Sequence, residues 1–135
     1  MKLYSYLNFH GDCRAAFDYY SQHLGGKVTM MLTHEQGPYP GRVPPDWQSA
    51  VLHARMEIGE TVLLAADIPN AQPMRSAYLT LMLESIDEAE RIYAALSAGG
   101  QIFMPLAETP FAVRFAQLRD RFGMNWMLLH ERPRP

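Results

Sequence analysis

The chain has 135 residues, 48% hydrophobic and 19% charged, the proportions of one folded globular domain and not of a disordered chain. A net charge of −2, with Lys and Arg scattered, excludes the footprint of a nucleic-acid binder. No apolar run reaches the roughly 18 residues that a membrane-spanning helix needs.

The opening residues run straight into a strand-like pattern with no apolar signal region. The lone Cys13 has no partner for an internal disulfide, which suits a reducing cytoplasm. Leu3 to Phe9 reads as a strand, stopped by Gly11-Asp12. Asp12 is placed to cap a helix carrying Ala15, Ala16, Tyr19, Tyr20 and Leu24, and Gly25-Gly26 ends it. Lys27 to His34 is a second strand. Four prolines between Glu35 and Trp47 mark a long excursion loop. From Ala50 to Ile58 the residues alternate: Leu52, Ala54, Met56 and Ile58 share one face, and Val51, His53, Arg55 and Glu57 the other. Gly59-Glu60 suits a type II′ hairpin turn, and Thr61 to Ala66 returns.

The order then repeats. A strand at Ala77 to Leu83 precedes a helix from Ile86 to Ala98, which carries the stripe Ala89, Ile92, Tyr93 and Leu96 and closes at Gly99-Gly100. Strands follow at Gln101 to Leu106, Ala112 to Arg119 and Met124 to His130. The tail from Arg132 to Pro135 is expected to fray. A βαβββ unit is thus written twice, over about residues 1–68 and 75–131, within one domain of residues 1–135.

Two stretches carry a resemblance. One runs through Tyr6-Leu7-Asn8-Phe9, Gly11, Cys13, Ala16, Tyr19-Tyr20 and Leu24-Gly25. The other is Asp120-Arg121-Phe122-Gly123 followed by Trp126-Met127. With the element order, they resemble the PhnB-like branch of the vicinal oxygen chelate (glyoxalase/bleomycin-resistance/dioxygenase) superfamily. The resemblance implies an α+β fold in which tandem βαβββ modules form a curved mixed sheet, a cup, and it implies a homodimer. It also implies four metal-ligand positions, which fall here on Ser5, Leu64, Tyr78 and Met127. A hydroxyl, a hydrocarbon, a phenol and a thioether are poor ligands for a hard or borderline divalent ion, so no metal of the superfamily type is expected. No glycine-rich cofactor loop follows a strand, and no cofactor is expected.

The cup is expected to hold His53, Arg55, Glu57, Tyr78, Thr80 and Asn125, with Arg114 able to reach it and Trp47 and Phe111 at its rim or at a dimer seam. Arg55 is the natural partner of a carboxylate or phosphate, unless it pairs with Glu57. His53 is the one candidate for a catalytic base, or else an ordinary polar lining residue. It stands about 13 Å from Glu57 along the strand, at about 3.3 Å per residue, too far for both to hold one ion. Cys13 is either a helix-terminus thiolate or a small core residue. Three functions compete. One is a protein, an enzyme or an enzyme relic, that binds a small polar or anionic molecule without metal. Another is a drug-sequestering protein of the bleomycin-resistance type. The third is a metal-dependent lyase, isomerase or dioxygenase with relocated ligands.

Overall fold

The computed structural model describes residues 1–133. Arg134 and Pro135, half of the tail expected to fray, lie outside the described residues. Arg132, in the same tail, is anchored: its guanidinium donates to the Glu108 carboxylate and to the Thr109 carbonyl at 2.9 Å. The chain divides into two compact units, Met1–Gln72 and Pro73–Pro135.

The first unit runs β1 (Ser5–Phe9), α1 (Cys13–Leu24), β2 (Lys27–Thr33), β3 (Val51–Ile58) and β4 (Thr61–Asp67). Its sheet has the order β1-β4-β3-β2, with β1 parallel to β4 and the other pairs antiparallel. The second runs β5 (Leu79–Met82), α2 (Ile86–Ser97), β6 (Gln101–Thr109), β7 (Ala112–Arg119) and β8 (Asn125–Glu131). Its order, β5-β8-β7-β6, repeats the first, with the same single parallel pair. The proline-rich excursion winds into two single 3₁₀ turns, Pro40–Arg42 and Pro45–Trp47.

Each helix covers one face of its own sheet. In α1, Cys13, Ala16, Phe17 and Tyr20 are buried at helical spacing. They join a core with Leu7, Phe9, Ala54, Met56, Leu63 and Ala65. Phe9 and Phe17 meet edge to face at 6.4 Å. In α2, Ala89, Ile92 and Leu96 are buried in the same way, and Ala116, Leu118, Trp126 and Leu128 complete that core. Gly25 ends α1 in the left-handed region at φ 72°, and Gly59 opens the β3–β4 hairpin at φ 54°.

Several expected details change. The strand expected from Ala77 is ordered as β5 only from Leu79, so Tyr78 precedes it. β6 runs on to Thr109 through Pro105, which its edge position permits because one side of an edge strand needs no ladder donor. Asp12 makes no side-chain cap on α1. That work falls to Asp67 at the end of β4, a buried carboxylate whose Oδ1 accepts from the Gly11 and Cys13 amides, each at 3.0 Å, while Oδ2 accepts from the Val51 amide at 2.9 Å. In the second unit Asp120 does similar work. Its Oδ1 accepts from the Phe122 and Met124 amides, and its Oδ2 takes the Trp126 indole N–H at 2.8 Å. The Asp120–Gly123 and Trp126 signature is therefore a turn fastened to a core indole.

Candidate functional site

The face of each sheet away from its helix is open. Residues paired in register share a face. In the first unit Tyr6 is paired with Leu64, Leu64 with Arg55, and Arg55 with Met30. This row lies opposite the helix-packed Met56 and Leu63, so it belongs to the open face. His53 joins it. The Tyr6 hydroxyl lies 3.4 Å from His53 Nδ1, and the two rings are 5.9 Å apart. Glu57 follows on the same face, paired with Val62.

Arg55 and Glu57 do meet, but only at 3.5 Å between half-exposed side chains, a contact worth little in water. Arg55 Nε is buried without a hydrogen-bond partner. A guanidinium left in that state retains donor capacity for an incoming acid group. Burial, with the neighbouring Cys13 adding to it, pushes the Tyr6 phenol above its ordinary range, so Tyr6 stays protonated and able to donate. Tyr6 was missed in the sequence. The signal was present, since Leu7 and Phe9 are the apolar, helix-facing members of β1 and the alternation leaves Tyr6 opposite them.

Ser5 needs correction for the same reason. It pairs with Leu63 on the helix-covered side, so the open-face position beside Leu64 is Tyr6. Val51 also departs from its expected face. The β2–β3 register shifts between Leu32 and Thr33, where Leu32 pairs with His53 but Thr33 with Val51. This bulge turns Val51 to the helix side, where it is buried. Trp47 lies there too, in a groove it shares with Arg14, Ala15 and Asp18 of α1, and not with His53 and Arg55.

In the second unit Thr80 pairs with Met127, and Met127 with Gln117, on the face opposite the buried Trp126 and Leu128. Tyr78, two residues before Thr80, stands edge-on to Phe103 at 6.5 Å. Asn125 is buried and fully engaged: Arg119 Nε donates to its Oδ1 at 3.0 Å, and its Nδ2 donates to the Met74 and Ala77 carbonyls. It fastens the segment ahead of β5 and is not a free lining group. Arg114 is corrected as well. Its partner is His130, and the next pair along is Ala116 with Leu128, so the alternation turns Arg114 to the helix-covered side, where it donates to the Val113 carbonyl at 2.7 Å. The guanidinium on the open face is Arg119, which the sequence did not single out. It donates to the Met74 carbonyl and lies 5.5 Å over the Phe103 ring. Phe111 is exposed at the β6–β7 turn, packed edge-on against Phe115 at 5.1 Å.

The sequence pattern of the Glyoxalase/Bleomycin resistance protein/Dioxygenase superfamily matches residues 5–128. The chain belongs to this superfamily. It is similar to Protein YjdN of Escherichia coli (strain K12), at 30% identity over 95% of this chain and 94% of that protein. Among solved structures it is similar to protein PA1353 from Pseudomonas aeruginosa, with a TM-score of 0.87, 38% identity and coverage of 98% of this chain and 99% of that one. It shares its fold with a PhnB protein from Bacillus cereus, with a TM-score of 0.81, 21% identity and coverage of 96% and 99%.

His53 and Glu57 on the first open face are capable ligands but stand four residues apart on β3, and the donors at the superfamily's own ligand positions do not fit a divalent ion. The first unit offers a protonated phenol at Tyr6 and a hydrocarbon at Leu64. The second offers Tyr78, the Thr80 hydroxyl and the Met127 thioether. None is a good ligand for such a metal. Among the described residues, no three His, Cys, Asp or Glu side chains gather where they could hold a metal ion. No helix among the described residues is long and apolar enough to cross a membrane.

Proposed function

We propose that the protein binds a small anionic molecule on the open face of its first sheet, without a divalent metal. Arg55 grips the acid group, with the Tyr6 hydroxyl and the His53 imidazole as flanking hydrogen-bonding groups. The observation that carries this reading is Arg55, a guanidinium with a buried unpartnered Nε and only a 3.5 Å contact to Glu57, separated from Tyr6 by the single strand β4 and on the same face as His53. A carboxylate or phosphonate suits such a fork. Thr80 and Tyr78 are secondary candidates on the second unit's open face. The exposed apolar side chains Ile102, Phe103 and Met104 of edge strand β6 suit burial against a second copy, and we infer a homodimer. A single buried thiol suits the cytoplasm.

A thermal-shift screen with carboxylates, phosphonates and cationic antibiotics tests the reading. Stabilisation by an anion that vanishes in Arg55→Ala and survives in His53→Ala is the expected outcome. Binding retained without turnover in His53→Ala, where the wild type turns the ligand over, would instead make this an enzyme with His53 as its acid–base group. Stabilisation by cations alone, indifferent to Arg55→Ala, would overturn the proposal in favour of drug sequestration.

A further inference from the structure

The first unit carries a second hollow, on the opposite side of its sheet from Arg55. It holds about 500 Å³ between the first turns of α1 and the segment leading into β3, a volume within the range of small-molecule sites. Arg14 and Asp18 stand one helical turn apart on α1. Asp46 and Trp47, from the second 3₁₀ turn, line it with Ser49, and Val51 contributes apolar surface.

The Arg14, Asp18 and Asp46 side chains around this hollow are exposed. Among the described residues, Arg14, Asp18 and Asp46 take part in no ion pair. Asp67 also borders the hollow, but its carboxylate is committed to the Gly11, Cys13 and Val51 amides and does not compete. The His10 ring meets the Trp47 indole edge to face at 5.4 Å and supports its orientation. A cation, two anions and an aromatic wall around one hollow complement a ligand that bears both charges itself.

We propose that this groove binds a free α-amino acid. Its carboxylate pairs with Arg14 and its ammonium with Asp46 and Asp18, while its side chain lies against Trp47. The site is independent of the one proposed on the open face.

The chain has two tryptophans, and Trp126 is buried in the other unit. Fluorine NMR of protein labelled with 5-fluorotryptophan therefore separates the groove from the rest of the molecule. L-Phenylalanine is the probe. N-acetylphenylalanine keeps only the negative charge, and phenylalanine methyl ester only the positive one. The Trp47 resonance is expected to move with L-phenylalanine and the Trp126 resonance to stay. Each single-charge analogue is expected to bind at least about tenfold more weakly, as loss of one charged hydrogen bond predicts. Arg14→Gln should weaken L-phenylalanine by a similar factor, whereas Arg55→Ala should leave it unchanged. An unmoved Trp47 resonance, equal binding of all three compounds, indifference to Arg14→Gln, or loss of binding in Arg55→Ala would each overturn the proposal.

Discussion

Cys13 shows how one buried residue can report on the whole fold. It has no exposed surface, and burial pushes its thiol up from 9.0 to about 12, with the Asp67 carboxylate adding to the rise. It is therefore a core group and not a reactive thiolate, even though it begins a helix. Folding holds the proton more tightly than the unfolded chain does, so this contribution to stability is complete below about pH 9. It is lost progressively as the pH climbs towards 12. Between those limits one proton gives a slope of up to about 1.4 kcal/mol per pH unit. Urea unfolding across the alkaline range should show the wild type losing stability more steeply than Cys13→Ala. Parallel pH profiles would show that the thiol does not carry the effect.

At the scale of elements, Asp67 joins three segments that are distant in sequence. It fastens the β1–α1 turn, the first helical amide and the start of β3 from its seat at the end of β4. A buried donor left unsatisfied costs about 1–3 kcal/mol. Asp67→Asn keeps the shape but turns one acceptor into a donor facing an amide. We expect it to lower stability by about 3 kcal/mol in urea unfolding, against a change within about 0.5 kcal/mol for Glu60→Gln at the exposed hairpin turn. A loss no larger than that of Glu60→Gln would show that the carboxylate is dispensable. The site depends on the same joint, because β3 carries His53 and Arg55 and begins at the Val51 amide that Asp67 holds.

For the molecule as a whole, the same βαβββ order appears in both units, and among the described residues no three His, Cys, Asp or Glu side chains gather as a metal centre would need. Stability should then not depend on a bound ion. Dialysis against EDTA is expected to leave Tm unchanged, and elemental analysis to find no stoichiometric zinc, nickel, manganese or iron. A metal bound only by the folded state would be exposed by a drop in Tm on chelation, because its removal withdraws binding free energy from folding. That outcome would count against a metal-free site.

Local rules made much of this protein legible. The strand and helix periods, the glycines that end the helices and the hairpin turn at Gly59 are set by neighbours close in the chain. The repeated element order followed from them, and so did the common face of His53, Arg55 and Glu57, because side chains alternate along a strand. What local rules could not supply was register. A single-residue step in β1 separates Ser5 from Tyr6, and a bulge in β2–β3 sends Val51 and Trp47 away from Arg55. The roles of Asp67, Asp120 and Asn125 depend on backbone donors and acceptors that only folding brings within 3 Å or so. Composition and pattern determined the elements and the chemistry available; hydrogen bonds between distant segments decided which of those groups share a surface.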